Sequence, residues 1–182
     1  MRLQTLTLLS TISSIHAAAL PSQDTTAPTI VYERPIENGA IRYLGTPSLI
    51  PSDWDWEAGW GSSSPISLTH SLTRRCGSNQ VNCSGSNKAD KTACQTLVKV
   101  LSENPSVPVP PGVTYISATQ GTSECYTVSK SQVNSIMFGY LAPAASSILN
   151  KCLSGDSVSG WATDVNLNNV CTNQCLSNRA SC

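Results

Sequence analysis

Eight cysteines, Cys76, Cys83, Cys94, Cys125, Cys152, Cys171, Cys175 and Cys182, have the most chemistry to offer, and all follow the dibasic pair Arg74-Arg75. A thiol can act as nucleophile, soft metal ligand or disulfide partner, and the redox compartment decides among these. Met1-Arg2, the apolar run Leu3 to Ile15 and the small residues around Ala17 to Ala19 have the layout of a secretory signal peptide over residues 1–19. Leu20-Pro21 and the polar stretch behind it argue against a buried N-terminal helix. Export to an oxidising compartment favours disulfides, and an even set predicts four, with 105 connectivities open. Cys171-x-x-x-Cys175 has zinc-like spacing, but bridging is the better reading, so neither metal nor cofactor is expected.

Residues 76–182 contain no histidine; His16 falls in the leader and His70 before the dibasic pair. A Ser-His-Asp or Cys-His centre therefore cannot be assembled there. The carboxylates are Asp90, Glu103, Glu124, Asp156 and Asp164. Asp90 suits a helix N-terminus and Asp156 suits the turn after Gly155. A hydrolase would have to draw on Asp164 or Glu124, because a glycosidase needs two carboxyls across a cleft. The expectation is a protein without catalytic residues.

Formal charge over the 182 residues is zero. Without a basic stripe or polybasic patch, nucleic acid and anionic lipid are poor partners. No run after the leader reaches the roughly 18 apolar residues of a membrane span. A soluble, extracellular monomer is expected, with a protein or glycan as partner.

The elements that must position these residues divide at Arg75. Residues 20–75 are rich in Pro, Ser and Thr, lack cysteine, and read as a poorly structured propeptide or linker, with short extended pieces at Thr29 to Tyr32 and Ala40 to Leu44. Arg74-Arg75 before Cys76 reads as a kexin-type processing site; the alternative is an exposed pair in a linker. In residues 76–182, Val81 to Cys83 reads as a short strand. A helix follows from Lys88 to Glu103 with Asn87 as its cap, its apolar face at Cys94, Leu97, Val98 and Leu101. Thr114 to Thr119 and Glu124 to Val128 form a hairpin candidate around Gln120-Gly121. Two helices are expected between Val133 and Leu153, the second opened by Pro143. That segment is apolar enough to suggest a pore, but its polar interruptions suit core helices better. Ser159 to Leu167 alternates as a strand, and a turn of helix is expected across Cys171 to Cys175. The order predicts an α+β fold, a two-layer sandwich of antiparallel sheet with helices on one face in a β-α-β-β-α-β-like pattern.

Trp54, Trp56 and Trp60 could stack on sugar rings, but anchoring of a loose segment to the domain is the favoured role. Trp161 is read as core in preference to a ligand platform. Asn82-Cys83-Ser84 is an N-glycosylation sequon, and early pairing of Cys83 competes with transfer, which leaves occupancy open.

The stretches Cys76-Gly77-Ser78, Val81 to Ala89, Cys94 to Val98, Ser159 to Ala162 and Val170 to Ala180 resemble the secreted fungal proteins grouped as "WD-like domain". The resemblance covers residues 76–182 and implies an extracellular, cysteine-rich fungal protein. It implies no propeller, since no forty-residue repeat is present. The family pattern carries one more cysteine pair, around the positions of Ser117 and Tyr126 here. At fold level the element order also resembles small α/β fungal killer toxins. The expected function is a secreted, non-enzymatic effector or killer-toxin-like factor that displays recognition loops, with Asn104 to Gly112 and Asn166 to Asn169 as the candidates. The alternatives are a wall- or carbohydrate-associated structural protein and a secreted hydrolase.

Overall fold

A computed structural model describes residues 28–62, 76–129, 133 and 135–179. Residues 1–27, where a leader is expected, and Arg74, Arg75 and Cys182 lie outside the described residues. Seven main strands are β1 (Thr29–Ile36), β2 (Gly39–Gly45), β3 (Gln80–Cys83), β4 (Val113–Gln120), β5 (Ser123–Ser129), β6 (Gly160–Leu167) and β7 (Val170–Ser177). They form one antiparallel sheet in the order β1-β2-β4-β5-β7-β6-β3. Two helices, α1 (Lys91–Glu103) and α2 (Phe138–Cys152), pack on each other and on one face of it. The two-layer α+β expectation is met.

Helix α1 begins one turn of chain later than expected. Asp90, not Asn87, is its cap, and its carboxylate accepts from the backbone N–H groups of Thr92 and Ala93 at 2.8 and 3.1 Å. Its buried side chains include Cys94, Leu97, Val98 and Leu101, the predicted face.

Among the described residues between Val133 and Leu153 there is one helix rather than two. Ile136–Met137 instead ladders with Pro108–Val109, and α2 starts at Phe138. The N–H groups of Phe138 and Gly139 donate to the carbonyls of Val107 and Pro105, each at 3.0 Å, so the proline loop satisfies the helix start in place of a side-chain cap. Pro143 sits inside the helix, where its fixed φ fits and one backbone bond is given up.

The helical turn expected across Cys171 to Cys175 is strand β7. It is paired on both sides, by β6 and β5, and Thr172 and Gln174 to Ser177 are buried there, so the ladder wins over the cysteine spacing. Asn168 and Asn169, at φ 48° and 66°, make the two-residue hairpin loop that joins β6 to β7. Gln174 is held by donating to Thr127 Oγ1 and to the carbonyl of Leu141, both at 2.9 Å.

Residues 28–62 are not poorly structured. Strands β1 and β2 fall on the two extended pieces read from the sequence, and β2 runs beside β4 from Gly39↔Gln120 to Gly45↔Val113. Ile41 and Tyr43 enter the core. The chain then crosses to the helix side of the sheet, where Trp56 stacks on Tyr32 (centroids 4.3 Å apart) and meets Tyr43 edge-on at 5.3 Å. Trp60 meets Phe138 edge-on at 5.6 Å, and the Arg34 guanidinium lies 4.3 Å from the Trp60 centroid. Arg34 and Tyr32 both donate to Glu57, which holds that carboxyl below its ordinary range. The aromatic area offsets the cost of ordering a segment rich in proline and serine. Trp56 and Trp60 therefore act as anchors.

A chain beginning at Cys76 would leave β4 with an open edge and Phe138 without Tyr43 and Trp60. It is expected to lose at least about 5 kcal/mol of stability in urea unfolding, from several large side chains at about 1.5–3 kcal/mol each, and to bind hydrophobic dye. With no cysteine before Cys76, a chain cut at Arg75 should keep its N-terminal piece through gel filtration and release it in denaturant. Full stability of the shortened chain would contradict this packing.

Candidate recognition site

The two segments singled out for recognition meet at one end of the sheet. Asn104 ends α1, and its side chain donates to the Val100 carbonyl (3.0 Å) while accepting from the Gly61 N–H (3.1 Å). From there the loop is tied to α2 through Pro105 and Val107, and to Ile136–Met137 through Pro108–Val109. Its far end is fixed by the Thr46 N–H, which donates to the Gly112 carbonyl at 3.0 Å. The β6–β7 hairpin reaches the same place: Asn168 Nδ2 donates to the Ser135 carbonyl at 3.2 Å, next to Ile136. Residues 135–137 are thus gripped from both sides.

Between these ties lies a cleft of about 200 Å³. Its walls combine apolar side chains from Leu49, Val109, Pro110, Pro111, Val133, Ile136 and Leu141 with the hydroxyl residues Thr114, Thr127 and Ser129. Leu49 is 52% exposed at the rim. The proline loop was legible as a recognition candidate; Leu49, from the other side of the dibasic pair, was not, because its short 3-10 turn Pro47–Leu49 carries no periodic signal.

Six of the eight cysteines form bridges among the described residues: Cys76–Cys171, Cys83–Cys152 and Cys94–Cys125, with Cα separations of 5.7, 5.1 and 5.0 Å. Cys175 is also disulfide-bonded. Among the described residues, the one grouping of metal-type ligands is Cys76, Asp164 and Cys171. Its two sulfurs are bonded to each other, so neither offers the thiolate a metal would need.

Asp164 and Glu124 are each engaged locally. Asp164 sits at φ 59° where the β6–β7 register shifts, accepting from Ser78 Oγ on its side chain and from the Gly77 N–H on its carbonyl. Glu124 accepts from Ser117 Oγ at 2.7 Å and lies 3.7 Å from Arg42. Through the ladders β5–β7–β6 these two fall on opposite sides of the Ser129↔Gln174↔Ala162 level. At about 3.3 Å per residue and about 4.8 Å per strand they are on the order of 20 Å apart, well beyond a glycosidase pair at about 5–9.5 Å. Asp156 follows Gly155 in its turn, as expected, and its carbonyl accepts from the Lys91 N–H at 3.0 Å.

Trp161 is not a core residue. It is 36% exposed and pairs across the ladder with the exposed Asn82. Ser117 and Tyr126, the positions matched to an additional cysteine pair, are direct cross-strand partners between β4 and β5, the placement a bridge there would use.

An antiparallel sheet with two helices bridged onto it, and loops gathered at one end, defines a small disulfide-bonded α+β protein. A family profile described as Fungal WD-like matches residues 63–182, and the chain belongs to that family. The sheets do not close into a propeller. No curated protein and no solved structure matches the chain. The matched region starts after β2, so the first two strands of the sheet lie outside it.

The cleft's lower rim depends on Gly112, at φ 83°, where an added Cβ would lie 2.6 Å from Leu49 Cβ. Gly112→Ala is expected to cost about 2–4 kcal/mol, from left-handed strain plus overpacking. Gly61→Ala, at φ 75° but with nothing within 4 Å, should cost about 1 kcal/mol. Urea unfolding of the two variants checks this; equal losses would contradict the packing at Gly112.

Proposed function

We propose that this fungal protein is exported and acts without catalysis, as an effector or killer-toxin-like factor that grips an extracellular target through the cleft under the proline loop. The observation that carries the reading is the convergence of Asn104–Gly112 and the Asn168 hairpin on residues 135–137. Each tie there is a backbone ladder or a hydrogen bond. Loops held in this way lose less entropy on binding, which is the physical advantage of building a recognition surface on a bridged scaffold. The leader-like N-terminus and the bridges favour an oxidising, extracellular setting. The separation of Asp164 from Glu124, and the absence of histidine after Cys76, weigh against the hydrolase alternative. The wall-associated alternative loses Trp56 and Trp60 as sugar platforms, because both are packed against the core.

Purified oxidised protein should bind saturably to the surface of susceptible fungal or plant cells and inhibit growth or cause death. Leu49→Asp, at an exposed rim position, should weaken that binding about tenfold or more, in line with losing an apolar anchor at about 1.4 kcal/mol per decade, while Asp164→Asn leaves it unchanged. Binding unaffected by Leu49→Asp would overturn the assignment of the cleft. Substrate turnover abolished by Asp164→Asn would overturn the non-catalytic reading.

A further inference from the structure

Gly160, the first residue of β6, faces the helices: a Cβ there would lie 2.6 Å from Cys152 Sγ. Strand alternation therefore turns Trp161 to the opposite face. Its indole stays 36% exposed, beside a depression of about 130 Å³ lined by Ser84, Ser86, Asn87, Ser159, Ser177 and Arg179.

This polar rim is held in place by its own backbone. Ser159 Oγ donates to the Ser86 carbonyl at 2.6 Å, and Ser177 Oγ donates to the Arg179 carbonyl at 2.9 Å. The Ser84 N–H donates to the Ser159 carbonyl (2.9 Å), and the Asn178 N–H to that of Asn87 (3.0 Å). Asn87 takes φ 55° to make the turn. Among the described residues, no carboxylate forms an ion pair with Arg179. Ser159 and Ser177 are buried, so the groups open to a ligand beside the indole are Ser84, Ser86, Asn87 and Arg179. An apolar plate edged by two hydroxyls, an amide and a guanidinium has the complement of a pyranose, which is apolar on its C–H face and hydroxylated at its edge. A protein hot spot would instead surround the indole with apolar neighbours.

We propose that Trp161 and this rim form a saccharide-binding site, with one pyranose ring lying on the indole and its hydroxyls bonding to Ser84, Ser86, Asn87 and Arg179. The site is separate from the cleft: it lies at the start of β6, and the Asn168 hairpin lies at the strand's end. Two sources offer the same chemistry. One is a glycan carried by Asn82, whose side chain projects beside the indole as its cross-strand partner within the sequon Asn82-Cys83-Ser84. The other is a free or wall-borne glycan.

The full chain, secreted from a eukaryotic host, should be compared with Trp161→Ala, Trp161→Tyr, Asn82→Gln and the Asn82→Gln/Trp161→Ala double variant, after mass spectrometry of Asn82 occupancy. If the attached glycan occupies the site, Trp161→Ala lowers Tm by about 2–4 °C in the glycosylated protein. The same substitution then has no effect in the Asn82→Gln background, and Trp161→Tyr retains most of the stability. If a free glycan is the ligand, chitin or β-glucan oligosaccharides quench the indole fluorescence of the Asn82→Gln protein, and Trp161→Ala weakens binding about tenfold or more. Either result supports the site. Equal Tm changes in both backgrounds together with no oligosaccharide binding would overturn it, whether or not Asn82 is occupied.

Discussion

Both helices are joined to the sheet by sulfur, and the architecture depends on that constraint. Cys94, fully buried in the apolar face of α1, bonds Cys125 in the middle of β5. Cys152, at the last turn of α2, bonds Cys83 on the edge strand β3. The third bridge, Cys76–Cys171, fixes the entry of the chain after the dibasic pair to β7. The closed loops span 31, 69 and 95 residues, and in the chain-entropy account each is worth about 4 kcal/mol. That is comparable with the whole margin of a small domain, so the helical layer does not rely on core area alone.

With the layers fixed covalently, a surface loop can hold the structure and line the cleft at once. The proline loop satisfies the start of α2 through the Pro105 and Val107 carbonyls, so one segment both caps a helix and walls the cleft. The Asn168 hairpin, a turn that needs two left-handed residues, supplies the tie to Ser135. The N-terminal strands add a second, non-covalent constraint. Tyr43, whose hydroxyl is pushed well above its ordinary pKa by burial, joins the hairpin to Phe138 and so to α2.

Strands, helices and the layered class were legible where periodicity was strong, as in Cys94-Leu97-Val98-Leu101 and the Gly121 hairpin. The two extended pieces before Arg75 were visible too, but composition hid their destination: alternation in Ala40 to Leu44 says that one face is buried and cannot say against what. Strand β7 was misread because closely spaced cysteines suggest a helical turn, whereas the burial of Thr172 and Gln174 comes from tertiary contacts that carry no local signal. Pro143 misled in the opposite sense, since a proline tolerated inside a helix looks like one that opens it. Of the candidate site, the proline loop could be chosen from the sequence, while the contribution of Leu49 and the exposure of Trp161 required the fold.

The most direct test of the account is peptide mapping of the unreduced protein by mass spectrometry. It should return the linked pairs Cys76–Cys171, Cys83–Cys152 and Cys94–Cys125. Free thiols at Cys94 or Cys152, or either residue linked to a different partner, would contradict the joining of the helical layer to the sheet.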